Sequence, residues 1–153
     1  MLKEQYELVL FSRKTILDYL KTISKEDFIC DKSNFGKGSI RNMLVHICDT
    51  YASWIGERAL ALNLNYPASE NYLNLDDCIA YFDRINQYIN QFLTDFKVNY
   101  QANIQIVRDS TTVNITPLQL FTHVITHEFH HKGQIMSLSR ILGYSPVDAD
   151  IIR

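Results

Sequence analysis

Apolar residues recur at three- and four-residue intervals through four long stretches of this chain, a spacing that commits it to packed helices. The first stretch covers about residues 2–22 and puts Tyr6, Val9, Leu10, Ile16, Leu17 and Leu20 mostly on one face. Residues 24–27 read as a turn or a short capped helix, and residues 29–38, with Asn34, Gly36 and Gly38, as a loop. A second helix is expected from the N-cap Ser39 to about residue 62, carrying Ile40, Met43, Leu44, Ile47, Tyr51, Trp54 and Ile55. A third is expected over 75–96, with Ile79, Phe82, Ile85, Ile89, Phe92 and Phe96 as its stripe. The fourth opens at Thr116-Pro117, an N-cap followed by proline at the first helical position, and stops near Leu142 before Gly143.

The connections complete the architecture. Residues 63–74 are rich in Asn, contain Pro67, and suit a crossover rather than a tight hairpin. Between residues 99 and 114, β-branched residues flank a polar centre at Arg108, Asp109 and Ser110, which predicts a short β-hairpin or an extended loop. The fold class is therefore all-α: a four-helix bundle of one domain, residues 1–153, with one long crossover and a small hairpin before the last helix. A chain with 46% hydrophobic and 21% charged residues can build such a core without disulfides.

Charge and cysteine usage narrow the setting. Fifteen basic residues against 17 acidic ones leave no excess to neutralise phosphates, so nucleic acid is not an expected partner. No stretch approaches roughly 18 uninterrupted apolar residues, so no membrane span is expected. Cys30, Cys48 and Cys78 are odd in number and widely spaced, which suits isolated buried thiols in a reducing compartment. The acidic start is not read as a signal peptide, and a cytoplasmic protein is expected.

Four of the five histidines lie between His123 and His131. His127 and His131 are four apart, one above the other on a helix at about 6 Å along the axis, the helical geometry for two imidazoles on one metal ion. They fall in register with Leu120, Val124, Leu138 and Leu142, so both rings are expected to point inward, where unpartnered imidazoles are costly. His46 stands alone on the second helix beside Met43 and Ile47 and is the natural third ligand from a facing helix. His123 reads as an outer or alternative ligand or as a rim residue, and His130, turned about 100° from His131, as a surface or interface residue.

Residues 127–131 match the His-Glu-x-x-His pattern of zinc peptidases, with Glu128 as the water-activating base. Such a peptidase normally has a downstream third ligand and a sheet edge for substrate; no histidine follows His131 and no substantial sheet is expected. The match is read as fortuitous, and Glu128 as a solvated helix residue.

A better match is to the DinB/YfiT-like family of metal-binding four-helix bundles. It is carried by Asn42 to His46 with the aromatic-containing stretch to Trp54, by Thr116-Pro117 after a hairpin-like segment, and by Leu120 to Gln134. The resemblance implies up-down-down-up topology, often as a homodimer, and a divalent ion, zinc foremost and nickel next, on the positions that here are His46, His127 and His131. Some relatives are thiol transferases or isomerases that use bacillithiol, mycothiol or glutathione, so a low-molecular-weight thiol cosubstrate and an electrophilic small-molecule substrate are implied. Three imidazoles leave a coordination position open to water or thiol. A hydrolase using metal-bound hydroxide and a non-catalytic metal- or ligand-binding bundle are the alternatives. Thr50 and Gln134, each about one turn from a histidine, are expected near the pocket, Gln134 either bonding there or packing at the helix end. Asp49 and Glu57 read as outer carboxylates that orient an imidazole or equally as a solvated face. Tyr51 and Trp54 read as core aromatics, and Cys48, about 200° from His46 on the helix, as no ligand.

Overall fold

Four helix starts are fixed by a side-chain acceptor that the chain supplies just ahead of the helix. In the computed structural model, which describes residues 1–31 and 37–153, Ser24 Oγ accepts the Asp27 amide at 3.1 Å and begins α2 (Lys25–Ile29). Ser39 accepts the Asn42 amide at 3.1 Å and begins α3 (Ile40–Tyr51). Asn74 with Asp77, and Thr116 with Gln119, form reciprocal capping boxes at the starts of α4 (Leu75–Asp95) and α5 (Pro117–Ile141). Before these, α1 spans Leu2–Leu20 and stops short of residue 22, because the Thr22 amide and hydroxyl both turn back to the Tyr19 carbonyl at 2.9 and 2.8 Å. Asn34 and Gly36 of the expected loop lie outside the described residues.

The second expected helix is one continuous element to the end of α3, and then changes winding. Residues Ala52–Ala59 are π-helical, ending with the Leu60 amide on the Ile55 carbonyl at 3.0 Å. Apolar spacing misses this change, since Tyr51, Ala52 and Ile55 are buried whichever winding joins them. Ala61, with φ of 55°, reverses the chain, and the Leu62 amide returns to the Gly56 carbonyl. A Cβ at Gly56 would lie 2.7 Å from Leu64 Cδ1, so glycine permits this close return.

The chain is mainly helical, with a small antiparallel two-stranded sheet. Strands β1 (Ile104–Arg108) and β2 (Thr111–Ile115) pair from Ile104–Ile115 to Arg108–Thr111. Asp109 and Ser110, both at positive φ, make the two-residue turn that suits the strands' twist. The hairpin buries Ile106 and is tied to the π-helical segment by Arg58 Nε, which donates to the Val107 carbonyl at 3.1 Å.

Helix α3 packs against both α4 and α5, and α1 packs against α4. Tyr51, Ile55, Ile85, Phe92, Leu120 and Phe121 are among the largest fully buried side chains. Helix α5 buries a wide face, including Phe121, Ile125, Glu128 and Ile135 as well as Leu120, Val124, His131 and Leu138. Among the described residues, no helix is long and apolar enough to cross a membrane.

Candidate metal centre

The packing of α3 on α5 brings His46 against the His127–His131 pair. One ligand nitrogen from each of the three lies within 4.8 Å of the others. The rings meet edge-on, with centroids 4.9 Å apart for His46–His127, 4.8 Å for His46–His131 and 4.4 Å for His127–His131. The Nε2 atoms of His127 and His131 are 3.1 Å apart. Two imidazoles on one tetrahedral ion place their nitrogens roughly 3.3 Å apart, given metal–nitrogen bonds of about 2.0–2.1 Å. The donor set therefore fits a transition-metal ion.

Protonation favours the same use. Burial, followed by the charge of Lys37 and the neighbouring His131, pulls His46 down to about 4. Burial, followed by the other histidines, pulls His127 down to about 4 as well. Burial lowers His131 too, against a hydrogen bond that favours its charged form. All three are neutral at pH 7 and keep a lone pair, as metal binding requires.

The surroundings set orientation. Gln134 Oε1 lies 2.7 Å from His131 Nδ1, and its amide nitrogen 3.1 Å from His130 Nε2. Carbonyl oxygen can only accept, so His131 carries its proton on Nδ1 and turns the Nε2 lone pair to the cluster. The Thr50 hydroxyl donates to the His46 carbonyl at 2.9 Å and lies 3.5 Å from His127 Nε2, so it faces the pocket as expected. Nδ1 of His127 is buried without a partner among the described residues. His123 is an exposed rim residue with its ring edge on Trp54, centroids 4.8 Å apart; His130 is exposed.

The cluster is half-open rather than sunk in the core: His46 and His127 are only partly buried. Two clefts, of about 330 and 380 Å³, share His46, Asp49 and Tyr66 in their walls. Thr50, Ser53 and Trp54 continue the first along the same helix face, so Trp54 is a cleft wall and not solely a core aromatic. Asp49 does not orient an imidazole; its Oδ1 accepts the Tyr81 hydroxyl at 2.9 Å, and burial pushes its carboxyl up. Neither does Glu57 bond an imidazole among the described residues. Tyr66 comes from the crossover, which its spacing did not connect with the site. Cys48 is buried outside the cluster, as expected.

A model of the DinB family matches residues 1–153. The chain belongs to the DinB family. Comparison with curated proteins finds none that matches.

Glu128 of this DinB chain is the main correction to the sequence reading. It is fully buried, not solvated, and faces away from the three histidines. Arg13 grips it with two bonds, Nε to Oε1 at 2.9 Å and Nη2 to Oε2 at 2.7 Å. Lys132 reaches Oε1 at 2.8 Å, and the Tyr51 hydroxyl donates to Oε2 at 2.6 Å. Burial alone would raise the Glu128 carboxyl; Arg13 and Lys132 outweigh it and hold the group at about 2. Arg13 also bonds Asn86 Oδ1 at 2.8 Å and lies over the Phe82 ring, 4.5 Å from its centroid. The signal for this network was in the sequence: Arg13 interrupts the buried row Tyr6, Val9, Ile16, Leu20, and Glu128 precedes Lys132 by four.

Proposed function

We propose that this chain holds a divalent transition-metal ion, zinc before nickel, on His46, His127 and His131, and transfers a small thiol to an electrophilic small molecule at the open side of that site. The observation that carries the reading is the convergence of three neutral imidazole nitrogens within 4.8 Å, beside an accessible cleft. Family membership and the fit of the 3.1 Å Nε2 pair to tetrahedral geometry support it. A bound ion would favour ionisation of a thiol or water in the cleft at neutral pH. The chain's own residues do the rest: Gln134 fixes the His131 tautomer, Thr50 braces α3 against α5, and Trp54 and Tyr66 wall the space where an electrophile would lie. On the same reading the chain is one domain, an up-down-down-up four-helix bundle.

Reconstitution followed by elemental analysis tests the site. About one equivalent of zinc or nickel per chain is expected, and less than about a tenth after His127→Ala, as three-ligand sites require. A conjugation assay with an aryl chloride tests the chemistry. The thiol sulfur forms the new carbon bond, chloride leaves with its electron pair, and the thiol proton passes to solvent. Metal binding without acceleration by any of several thiols overturns the transferase reading; ester turnover without thiol would replace it with hydrolysis.

A further inference from the structure

We infer that Asp49 reads the ligand of the metal cleft, and that this ligand is an aminothiol whose ammonium group sits on the Asp49 carboxylate while its sulfur reaches the three histidines. The inference rests on the thiol reading above and adds the chemistry of the thiol.

Asp49 lies three residues after His46 on α3, so the two side chains share a helix face with Cβ atoms about 5–6 Å apart. Both line each of the two clefts. Asp49 is half-buried, yet among the described residues it forms no ion pair. Its Oδ1 is anchored by Tyr81, whose ring is itself stacked on Tyr72 with centroids 5.4 Å apart and planes 10° from parallel. Oδ2 has no hydrogen-bond partner among the described residues. A partly desolvated carboxylate held in one orientation, with one oxygen uncommitted, is a poor solution for a free protein and a good one for a cation. Trp54 and Tyr66 add aromatic walls that suit an ammonium group. The short reach from Asp49 to the histidines selects a cation only a few bonds from the sulfur, as in a two-carbon aminothiol. Lys37 is the competing charge: it lies at the rim of the second cleft, exposed, and would select a carboxylate instead.

The test uses the cobalt-loaded full chain, whose visible spectrum reports thiolate binding. Cysteamine, 2-mercaptoethanol and 3-mercaptopropionate are titrated separately into the unsubstituted protein and into Asp49→Asn. Cysteamine is the more acidic thiol, so the readout is the ratio of its affinity to that of 2-mercaptoethanol, compared between the two proteins. That ratio should fall about tenfold in Asp49→Asn, with 2-mercaptoethanol affinity unchanged. In the unsubstituted protein alone, it should also shrink as sodium chloride is raised, because an ion pair at a cleft is screened and thiol acidity is not. A ratio that resists either change overturns the inference while leaving the thiol reading in place. Tightest binding of 3-mercaptopropionate, lost in Lys37→Ala, overturns it in favour of Lys37. Cobalt binding with no spectral response to any thiol overturns both this inference and the transferase reading.

Discussion

Two polar clusters flank α5, and neighbouring residues build them. His127 and His131 face α3; Glu128 and Lys132, each one position further on, turn about 100° away toward α1. The Glu128 cluster is closed: its carboxylate is fully buried and accepts from Arg13, Lys132 and Tyr51, with both oxygens satisfied. The histidine cluster is open and incompletely satisfied. Two lone-pair nitrogens face each other at 3.1 Å, and His127 Nδ1 has no partner among the described residues. A buried group that has all its partners holds the fold in one arrangement; a group that lacks one is waiting for a ligand.

The comparison breaks most sharply at Glu128. Glu128→Ala leaves Arg13 and Lys132 buried without their counter-charge and should cost about 3–5 kcal/mol in denaturant unfolding. The acid dependence should go with it. The folded-state value of about 2 lies below the ordinary 4.5, so the contribution is complete above pH 4.5 and drains away as pH falls toward 2. Unfolding followed across that window should show a shallower loss in Glu128→Ala than in the unsubstituted chain.

On the other face, metal and not mutation should move stability. Zinc at about a thousand times its Kd should raise the unfolding free energy by about 4 kcal/mol, and His127→Ala should abolish that gain. Without metal, His127→Ala should change stability by less than about 1 kcal/mol, since the half-buried ring has little to lose. An equally large loss without metal would make the histidines scaffold and erase the distinction between the faces. Tyr51→Phe, which removes one charged hydrogen bond from the closed cluster, should cost about 1.5–3 kcal/mol and leave metal affinity alone. Gln134→Leu should do the reverse, lowering metal affinity by about 10–100-fold, or about 1.4–2.7 kcal/mol, with little effect on unfolding of the metal-free chain.

The open cluster was legible in the sequence because its signal is local: two histidines four apart on a helix, and one more on a helix of matching apolar pattern. The closed cluster was not, although Arg13 and Glu128 stand in rows of buried positions. A count of apolar residues passes over the charged ones that share the stripe, and their partners lie 115 residues apart in the chain. Asp49 was visible only as a helix residue near His46; what makes it a cleft residue is Tyr66 and Tyr81, brought in by the crossover and α4. The helix boundaries came through well where caps announce them, at Ser39, Asn74 and Thr116, and less well where the winding changes without a change in what is buried.

The π-helical turns at Ala52–Ala59 bear on how this chain tolerates changes of length. Such a segment is equivalent to an α-helix that has absorbed extra sequence without breaking its hydrogen-bond run. A one-residue deletion there would let the helix rewind in the ordinary way, so it need not unfold the chain. It would, however, rotate everything beyond the deletion relative to His46, carrying Arg58 away from the Val107 carbonyl and Gly56 away from Leu64. The segment thus behaves as a counted spacer between the histidine on α3 and the hairpin that precedes α5, where composition can vary more freely than residue number.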